Sequence, residues 1–310
     1  MAITAGAVKE LREITGAGMM DCKKALTETD GDMDTAVEYL RKNGQAKAEK
    51  KASRIAAEGL CAVAHDGETK AAVVEVNSET DFVAKNETFQ SFVAAVAKQA
   101  VLTDATDLDS FLAEDFPEEA GKSISEVLVE KVAVIGEKLS IRRFEKVVAE
   151  EGFVASYVHA GGKIGVLVDA KAAVINDTVK EAIANLAMQI AALSPKYVTR
   201  AEVSQEYIAH EKEILRAQIL NDPKESQKPE KVINGIVEGR ISKELKEICL
   251  LDQVYVKAED GKQTVAQYLE AVSKEAGSPV SVSRFVRFET GEGLEKKEEN
   301  FAAEVAAQLG

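Results

Sequence analysis

An internal repeat is the feature that most limits how this chain can fold. Residues 59–76 and 152–169 align without a gap, with Gly152 standing 93 positions after Gly59. Each copy has the pattern of an apolar strand, a tight turn and a second apolar strand, and a long apolar helix follows. Self-similarity at this scale is typical of a fold built from two like units. We therefore predict two antiparallel sheets, each with its own helix.

A third strand repeats at a different spacing. Residues 139–144 match 280–285, an offset of 141 positions, so the second copy carries 48 extra residues before its last strand. Two helical patterns, over residues 203–221 and 229–251, flank the break Asp222-Pro223 and predict an antiparallel helical hairpin. The apolar seam expected in its first helix is Tyr207, Ile208, Ile214, Leu215 and Leu220. The hairpin has to contact another molecule, pair with its own copy or pack on its own core.

Residues 1–54 have the pattern of a small module of three helices. Thr4 is the expected cap of the first helix, with Val8, Leu11 and Ile14 on its buried face. A second helix is expected from about Asp21. A third, capped by Asp32, is expected to stop at Gly44. Met19 and Met20 follow a glycine turn and cannot both be core residues. They suit an adaptable contact surface, unless one of them is buried and the other is incidentally exposed.

The connection Thr80-Asp81-Phe82-Val83-Ala84-Lys85 joins a predicted buried strand, residues 71–76, to a predicted amphipathic helix. Asn86 is the expected cap of that helix, whose buried face is Phe89, Phe92, Val93 and Val96. Residues between a strand and a helix often act on something outside the domain. The alternative is that Phe82 folds back on its own helix as an N-terminal staple.

Composition and motifs exclude several functions. A net charge of -14 makes nucleic acid and anionic membranes poor partners. No apolar run is long enough to span a membrane, and three widely spaced cysteines fit a reducing cytoplasm better than a disulfide framework or zinc site. Residues 160–165 lead into a strand, so they lack the helix that a phosphate loop needs. We predict a binding protein with no cofactor and no bound metal.

Two other functions remain open from the residues alone. One is a structural role for a repeat domain with an interaction hairpin. The other is an enzyme that uses the alternating oxygen donors Glu75, Asn77, Glu79 and Asp81, although these lack the glycine and distal glutamate of a calcium loop. The segment from Asp104 to Glu130 is strongly acidic and is expected to be a solvated connection with some helix.

Two motifs carry a resemblance to a known family. Residues 15–26, Thr-Gly-Ala-Gly-Met-Met-Asp-Cys-Lys-Lys-Ala-Leu, and the connection at residues 80–85 strongly resemble bacterial translation elongation factor Ts. The repeat, the hairpin, residues 135–137, residues 156–159 and residues 301–306 fit the same family. The resemblance covers essentially the whole chain. The sequence departs from the family pattern after His159, where Ala160-Gly161-Gly162 is longer in glycine.

The resemblance implies a guanine-nucleotide exchange factor for elongation factor Tu, not an enzyme of covalent chemistry. It would bind the GDP-bound and nucleotide-free partner, disturb the Mg²⁺ site and promote GDP release so that GTP can bind. The residues implied in Mg²⁺ dislocation are Thr80, Asp81, Phe82 and Val83. Those implied in partner binding are Arg12, Met19, Met20, Lys23, Ile135, Gly136 and His159.

The expected fold class is α+β, with four parts. These are a three-helix (UBA-like) module at 1–54, one sheet-and-helix subdomain at 55–145, a second at 146–289 and a C-terminal module at 290–310. The second subdomain carries the hairpin at about 200–252. The last part is expected to end in a helix with Phe301, Val305 and Leu309 on one face. Self-association through the hairpin is a further expectation.

Overall fold

The computed structural model describes residues 3–296, and it confirms the α+β class. In this range the helices are α1 Ala5–Thr15, α2 Met19–Glu28, α3 Met33–Lys51, α4 Asp81–Ala84, α5 Glu87–Leu102, α6 Leu108–Leu112, α7 Ile124–Ile135, α8 Asp177–Leu193, α9 Gln205–Asn221, α10 Glu230–Ile248 and α11 Val265–Ala276. The strands are β1 Glu58–Asp66, β2 Lys70–Ser78, β3 Ser140–Val148, β4 Gly152–His159, β5 Ile164–Ala172 and β6 Val280–Glu289. The expected helix with Phe301, Val305 and Leu309 lies outside the described residues.

The repeat has a direct structural counterpart. The strands form two antiparallel sheets of identical order, β1-β2-β3 and β4-β5-β6, each with one register shift between its second and third strands. Helix α5 packs on the first sheet and α8 on the second. Helices α7 and α11 also correspond, because each immediately precedes the third strand of its sheet. The insertion therefore lies between α8 and α11.

The two sheets pack face to face, and their helices cover the outer faces. Successive side chains of a strand point to opposite faces. On β2, Val74 and Val76 accordingly join the core under α5, whereas Ala71 and Val73 pack against the second sheet. Both faces of β2 are buried, which explains its nearly continuous apolar run.

Small residues let the sheets approach closely. A Cβ added to Gly165 of β5 would lie 2.8 Å from Val73 Cγ2 and 3.1 Å from Cys61 Cβ. Burial in this layer raises the pKa of the Cys61 thiol to about 11. Cys22 and Cys249 are buried as well, and none of the three cysteines is paired with another.

The N-terminal helices form a small core of their own, with two corrections to the sequence prediction. Thr4 and Asp32 cap α1 and α3 as expected, and Leu11, Leu26 and Ala36 are fully buried. Ile14, however, is 59% exposed because the core under α1 ends at Leu11.

Gly44 does not stop α3, which continues to Lys51. Gly44 is buried because α3 crosses α7 there. A Cβ at this position would lie 3.4 Å from the Cβ of Ala133. The glycine permits close helix packing and serves no capping purpose.

The acidic segment after Asp104 is not a solvated connection throughout. It contains α6 and the start of α7, and it contributes Phe111, Phe116, Ile124 and Val127 to the core of the first sheet. Its acidic residues lie between these apolar ones on the outer surface. Glu119, for example, pairs with Lys122 and Lys131.

Helices α9 and α10 pair as an antiparallel hairpin, since Tyr207 bonds Glu244 near one end and Arg216 bonds Glu230 near the other. Leu220 was expected in the seam but is 49% exposed. Ile219 takes its place and is fully buried. Ile214 is 37% exposed. The chain enters and leaves the insertion side by side, because Tyr197 and Cys249 form a parallel bridge.

Candidate protein-binding site

Phe82 is the most exposed large apolar side chain recorded in the described part of the chain, with 78% of its surface open to solvent. It lies on the single-turn helix α4, between β2 and α5. The alternative of an N-terminal staple is wrong, because a staple would bury the ring against α5. The ammonium of Lys85 lies 5.8 Å from the centroid of the ring.

The flanking residues of this turn are held in place. Thr80 caps α4, with its Oγ1 accepting a hydrogen bond from the Val83 N–H at 3.4 Å. Val83 packs against the core of the first sheet, and Ala84 is buried. Asp81 accepts a hydrogen bond from Lys85 Nζ at 2.7 Å, and this bond lowers the pKa of the Asp81 carboxyl. The turn thus has a fixed base and an exposed aromatic tip.

The base of the turn is tied to the loop between α7 and β3. The carboxylate of Glu137 accepts hydrogen bonds from the Glu79 N–H at 3.1 Å, the Thr80 N–H at 3.0 Å and the Thr80 hydroxyl at 2.7 Å. In return, Glu79 Oε1 accepts a bond from the Lys138 N–H at 2.6 Å. We call this reciprocal pair the Glu79–Glu137 clasp.

Ile135 is the last residue before this loop, and Gly136 is its first residue. Ile135 ends α7 and packs against the first core, while Gly136 caps the helix with φ +87°. The Gly136 carbonyl accepts a hydrogen bond from Lys51 Nζ at 2.5 Å. The clasp therefore holds the Phe82 turn next to the backbone at Ile135 and Gly136.

The N-terminal module presents a second exposed apolar group. Met19 and Met20 begin α2, and they are 59% and 73% exposed. The alternative that one of them is a core residue is therefore wrong. Lys23 follows at i+4 from Met19 and shares its side of the helix, and Arg12 is exposed on α1. Packing of α3 on α7 connects this module to the loop at Gly136.

His159 lies on the second sheet, at the exposed end of β4. Its Nδ1 lies 2.9 Å from the Tyr157 hydroxyl. The two glycines after it have different structural reasons. A Cβ at Gly162 would lie 2.7 Å from Leu60 Cδ2 and 3.2 Å from the Cys61 carbonyl, whereas Gly161 has φ +65°, which favours glycine. Lys163 in this turn pairs with Glu58, and its charge helps lower the pKa of Asp81. The turn thus packs against β1, the strand that also contacts α4.

The alternating oxygen donors do not converge. Glu75 is fully buried and bonds Arg142 and Arg143, Glu79 bonds Arg54, and Asp81 bonds Lys85. Each carboxylate is engaged by a different cation, so this run does not form a shared ligand set. No group of metal-ligating side chains is present among residues 3–296. No helix in that range is long and apolar enough to cross a membrane.

The site thus consists of exposed apolar side chains, with Phe82 on a turn held by hydrogen bonds and Met19 and Met20 at the start of a helix. Such exposed apolar groups are typical of proteins that act by contacting another macromolecule. Comparison with known proteins shows the family to which the chain belongs. The family model for elongation factor TS matches residues 79–292. The chain belongs to the elongation factor Ts family.

Three relatives illustrate the similarity. Elongation factor Ts of Clostridioides difficile (strain 630) is 54% identical over 308 residues. The proteins of the same name from Clostridium botulinum (strain Eklund 17B / Type B) and Clostridium perfringens (strain ATCC 13124) are 52% and 50% identical over 309 residues. In each comparison the match covers 99% of both chains.

Proposed function

We propose that this chain is a guanine-nucleotide exchange factor for elongation factor Tu in translation elongation. It binds the GDP form of its partner, disturbs the Mg²⁺ site and promotes GDP release, so that GTP can bind. Family membership supports the choice of partner. The observation that carries the mechanism is the exposure of Phe82 on a turn whose base is fixed by hydrogen bonds.

Exchange needs only differential binding, without covalent chemistry. A factor that prefers the nucleotide-free partner weakens nucleotide binding by the same factor by which nucleotide weakens its own binding. Each 1.4 kcal/mol of such coupling is about a tenfold change in affinity. A ring that enters a crevice open only in the nucleotide-free partner supplies that preference.

Phe82 can provide a sizeable part of this coupling. Burial of one Phe side chain contributes roughly 1.5–3 kcal/mol, which corresponds to about tenfold to a hundredfold in affinity. The ring is largely solvated in the free chain, so nearly all of that apolar surface is available to a partner. Thr80, Asp81 and Val83 act with it in Mg²⁺ dislocation by shaping the turn and placing a carboxylate beside the ring.

The remaining contacts anchor the partner. Arg12, Met19, Met20 and Lys23 bind from the N-terminal module, and Ile135 and Gly136 bind from the loop beside the Phe82 turn. His159 binds from the second sheet. Methionine suits this role because its flexible, polarizable side chain adapts to the surface that it meets.

The division of labour follows four proposed parts. Residues 1–54 and 290–310 grip the partner, residues 55–145 carry the Phe82 turn, and residues 146–289 carry His159 and the hairpin. Self-association through the hairpin belongs to this proposal, as does action in the cytoplasm without nucleic acid or cofactor.

Nucleotide release tests the proposal directly. Elongation factor Tu is loaded with fluorescently labelled GDP and mixed with excess unlabelled GDP, with or without the chain. Acceleration that saturates with chain concentration is the expected result. A release rate independent of the chain, with binding to the partner retained, would leave only a structural role.

A further inference from the structure

The position of Phe82 is not set by contacts of its own ring, because most of the ring is exposed to solvent. It is set by the backbone of residues 79–83. Within the described structure, Glu137 makes more hydrogen bonds to residues 79–83 than any other side chain from outside this segment. Its carboxylate accepts hydrogen bonds from two consecutive backbone N–H groups and from the Thr80 hydroxyl.

The hydroxyl bond has a second effect. A threonine hydroxyl has one proton to donate and lone pairs that accept. Because Thr80 donates its proton to Glu137, its lone pairs remain directed toward the Val83 N–H, which caps α4. Glu137 thereby fixes both the entry of the chain into α4 and the orientation of its cap.

The other half of the clasp holds Glu137 itself. Glu79 accepts the Lys138 N–H at 2.6 Å and also bonds Arg54 Nη1 at 3.2 Å. Lys138 Nζ in turn donates to the Arg54 carbonyl at 2.8 Å. Neither end of the clasp can move without breaking bonds at the other.

We infer that Glu137 is a positioning residue for Phe82, and this inference rests on the proposed function. The apolar core beneath α5 is built from other residues, such as Val74, Phe89 and Phe92. The clasp determines the direction in which the exposed ring of Phe82 points away from the surface. A group ordered before binding loses less conformational entropy when the partner arrives.

The matched control is Glu202, whose carboxylate makes the same kind of contacts at the foot of the hairpin. It accepts the Val198 N–H, the Thr199 N–H and the Thr199 hydroxyl at 3.0, 3.1 and 3.2 Å. Glu202→Gln removes the same charge from an equivalent donor set far from Phe82 in the chain. Glu137→Gln is the test variant, because an amide retains only one acceptor oxygen.

Hydrogen exchange of the backbone amides tests the clasp without elongation factor Tu. In Glu137→Gln the two N–H groups bond a neutral amide oxygen, which accepts more weakly than a carboxylate, so we expect the amides of Glu79 and Thr80 to exchange about tenfold faster. They remain unchanged in Glu202→Gln. Unchanged exchange in both variants would overturn the inference. If Glu137→Gln does not fold, Glu137→Asp keeps the charge and shortens the reach, and the same outcomes apply.

A double-mutant cycle then tests action through Phe82. Glu137→Gln is expected to lower the saturating GDP release rate about tenfold and to change the half-saturating chain concentration much less. In a Phe82→Ala background it has no further effect beyond about twofold, because the two residues act as a unit. Glu202→Gln matches the wild type.

The outcomes separate the two claims. If the wild-type chain does not accelerate release, the proposed function fails and the inference fails with it. If Phe82→Ala slows release but Glu137→Gln does not, only the inference is overturned. The inference is also overturned if Glu137→Gln slows GDP release equally in the wild-type and Phe82→Ala backgrounds, because Glu137 would then act independently of Phe82.

Discussion

Glu75 Oε2 lies 2.6 Å from Nε of Arg143, with the glutamate fully buried and the arginine partly exposed. Glu75 Oε1 accepts the Gly291 N–H at 2.8 Å and Arg142 Nη1 at 3.0 Å. Arg142 and Arg143 also donate to the carbonyls of Glu292 and Glu289. One buried carboxylate thus joins β2 to β3 and to the segment that follows β6.

Glu75→Ala is expected to destabilise the chain by about 2–4 kcal/mol, because it leaves two partly exposed guanidinium groups and the buried Gly291 N–H without their acceptor. Urea unfolding at pH 7 measures the loss. The control is Glu145→Ala, which breaks the exposed pair with Arg284 and is expected to lower stability by less than about 1 kcal/mol. Equal losses in the two variants would show that the buried network contributes no more than a surface pair.

The same carboxylate predicts an acid dependence of stability. Burial alone would raise the pKa of Glu75, but hydrogen bonds from Gly291, Asn77 and Arg142 and the charge of Arg143 lower it below the usual 4.5. A depressed folded pKa gives stability that is complete above about pH 4.5 and is lost as the pH falls further. The stability difference between wild type and Glu75→Gln is therefore constant from pH 8 to about 5 and narrows below that. A constant difference down to pH 3 would contradict this assignment.

Phe82→Ala is expected to slow saturated GDP release from elongation factor Tu by about tenfold to a hundredfold. Its unfolding midpoint should be unchanged, because the ring is exposed in the free chain. Leu102→Ala is the control, since Leu102 ends α5 and is 61% exposed without belonging to the proposed site. Release at the wild-type rate by folded Phe82→Ala would remove Phe82 from the mechanism.

The double variant Met19→Ala/Met20→Ala is expected to weaken the complex with nucleotide-free elongation factor Tu by at least about tenfold, through loss of two apolar contacts. Titration calorimetry measures the affinity, and thermal unfolding should be nearly unaffected, since both side chains are exposed. Leu193→Ala removes an exposed apolar side chain elsewhere and is expected to bind normally. Unfolding of the N-terminal module in the double variant would instead assign these residues a structural role.

Gly44→Leu is expected to destabilise the packing of α3 on α7 by roughly 1–3 kcal/mol, because a Cβ alone would already touch Ala133. Gly235→Ala in α10 is the contrasting change, since nothing lies within 4 Å of a Cβ there. It should stabilise the chain by about 0.5–1 kcal/mol through helix propensity. Chemical denaturation measures the change in the free energy of unfolding for each variant. An unchanged free energy in Gly44→Leu would show that α3 and α7 can separate without loss of stability.

The sequence predicted those parts of the fold that depend on local chemistry. Thr4, Asp32 and Asn86 cap their helices as expected. The two β-hairpins, β1-β2 and β4-β5, and the third strand of each sheet follow the repeat. These features depend on side chains a few residues apart or on an alternation that the sequence displays directly.

The errors arose where a distant segment decides the role of a residue. Gly44 has the local pattern of a helix stop, but α7 makes it a packing residue. The acidic segment after Asp104 hides Phe111 and Phe116 among charges, and only the first sheet shows why they are buried. The exposure of Phe82 settles a choice that its local pattern left open.

Glu137 was missed as an acceptor for the Phe82 turn because it lies 57 residues from Thr80 in the sequence. No local motif joins the two. The available signal was that Glu137 belongs to the motif at residues 135–137, which fits the family resemblance.

The neighbouring backbone at Tyr197 and Cys249 has a consequence for how this fold can vary. The hairpin formed by α9 and α10 begins and ends at neighbouring backbone positions. A short connection between residues 197 and 249 would therefore be enough to replace it. Neither sheet would have to change its strand pairing. A helical hairpin can therefore be inserted or deleted at this junction while the two-sheet core keeps its structure, and the length of the molecule beyond that core changes accordingly.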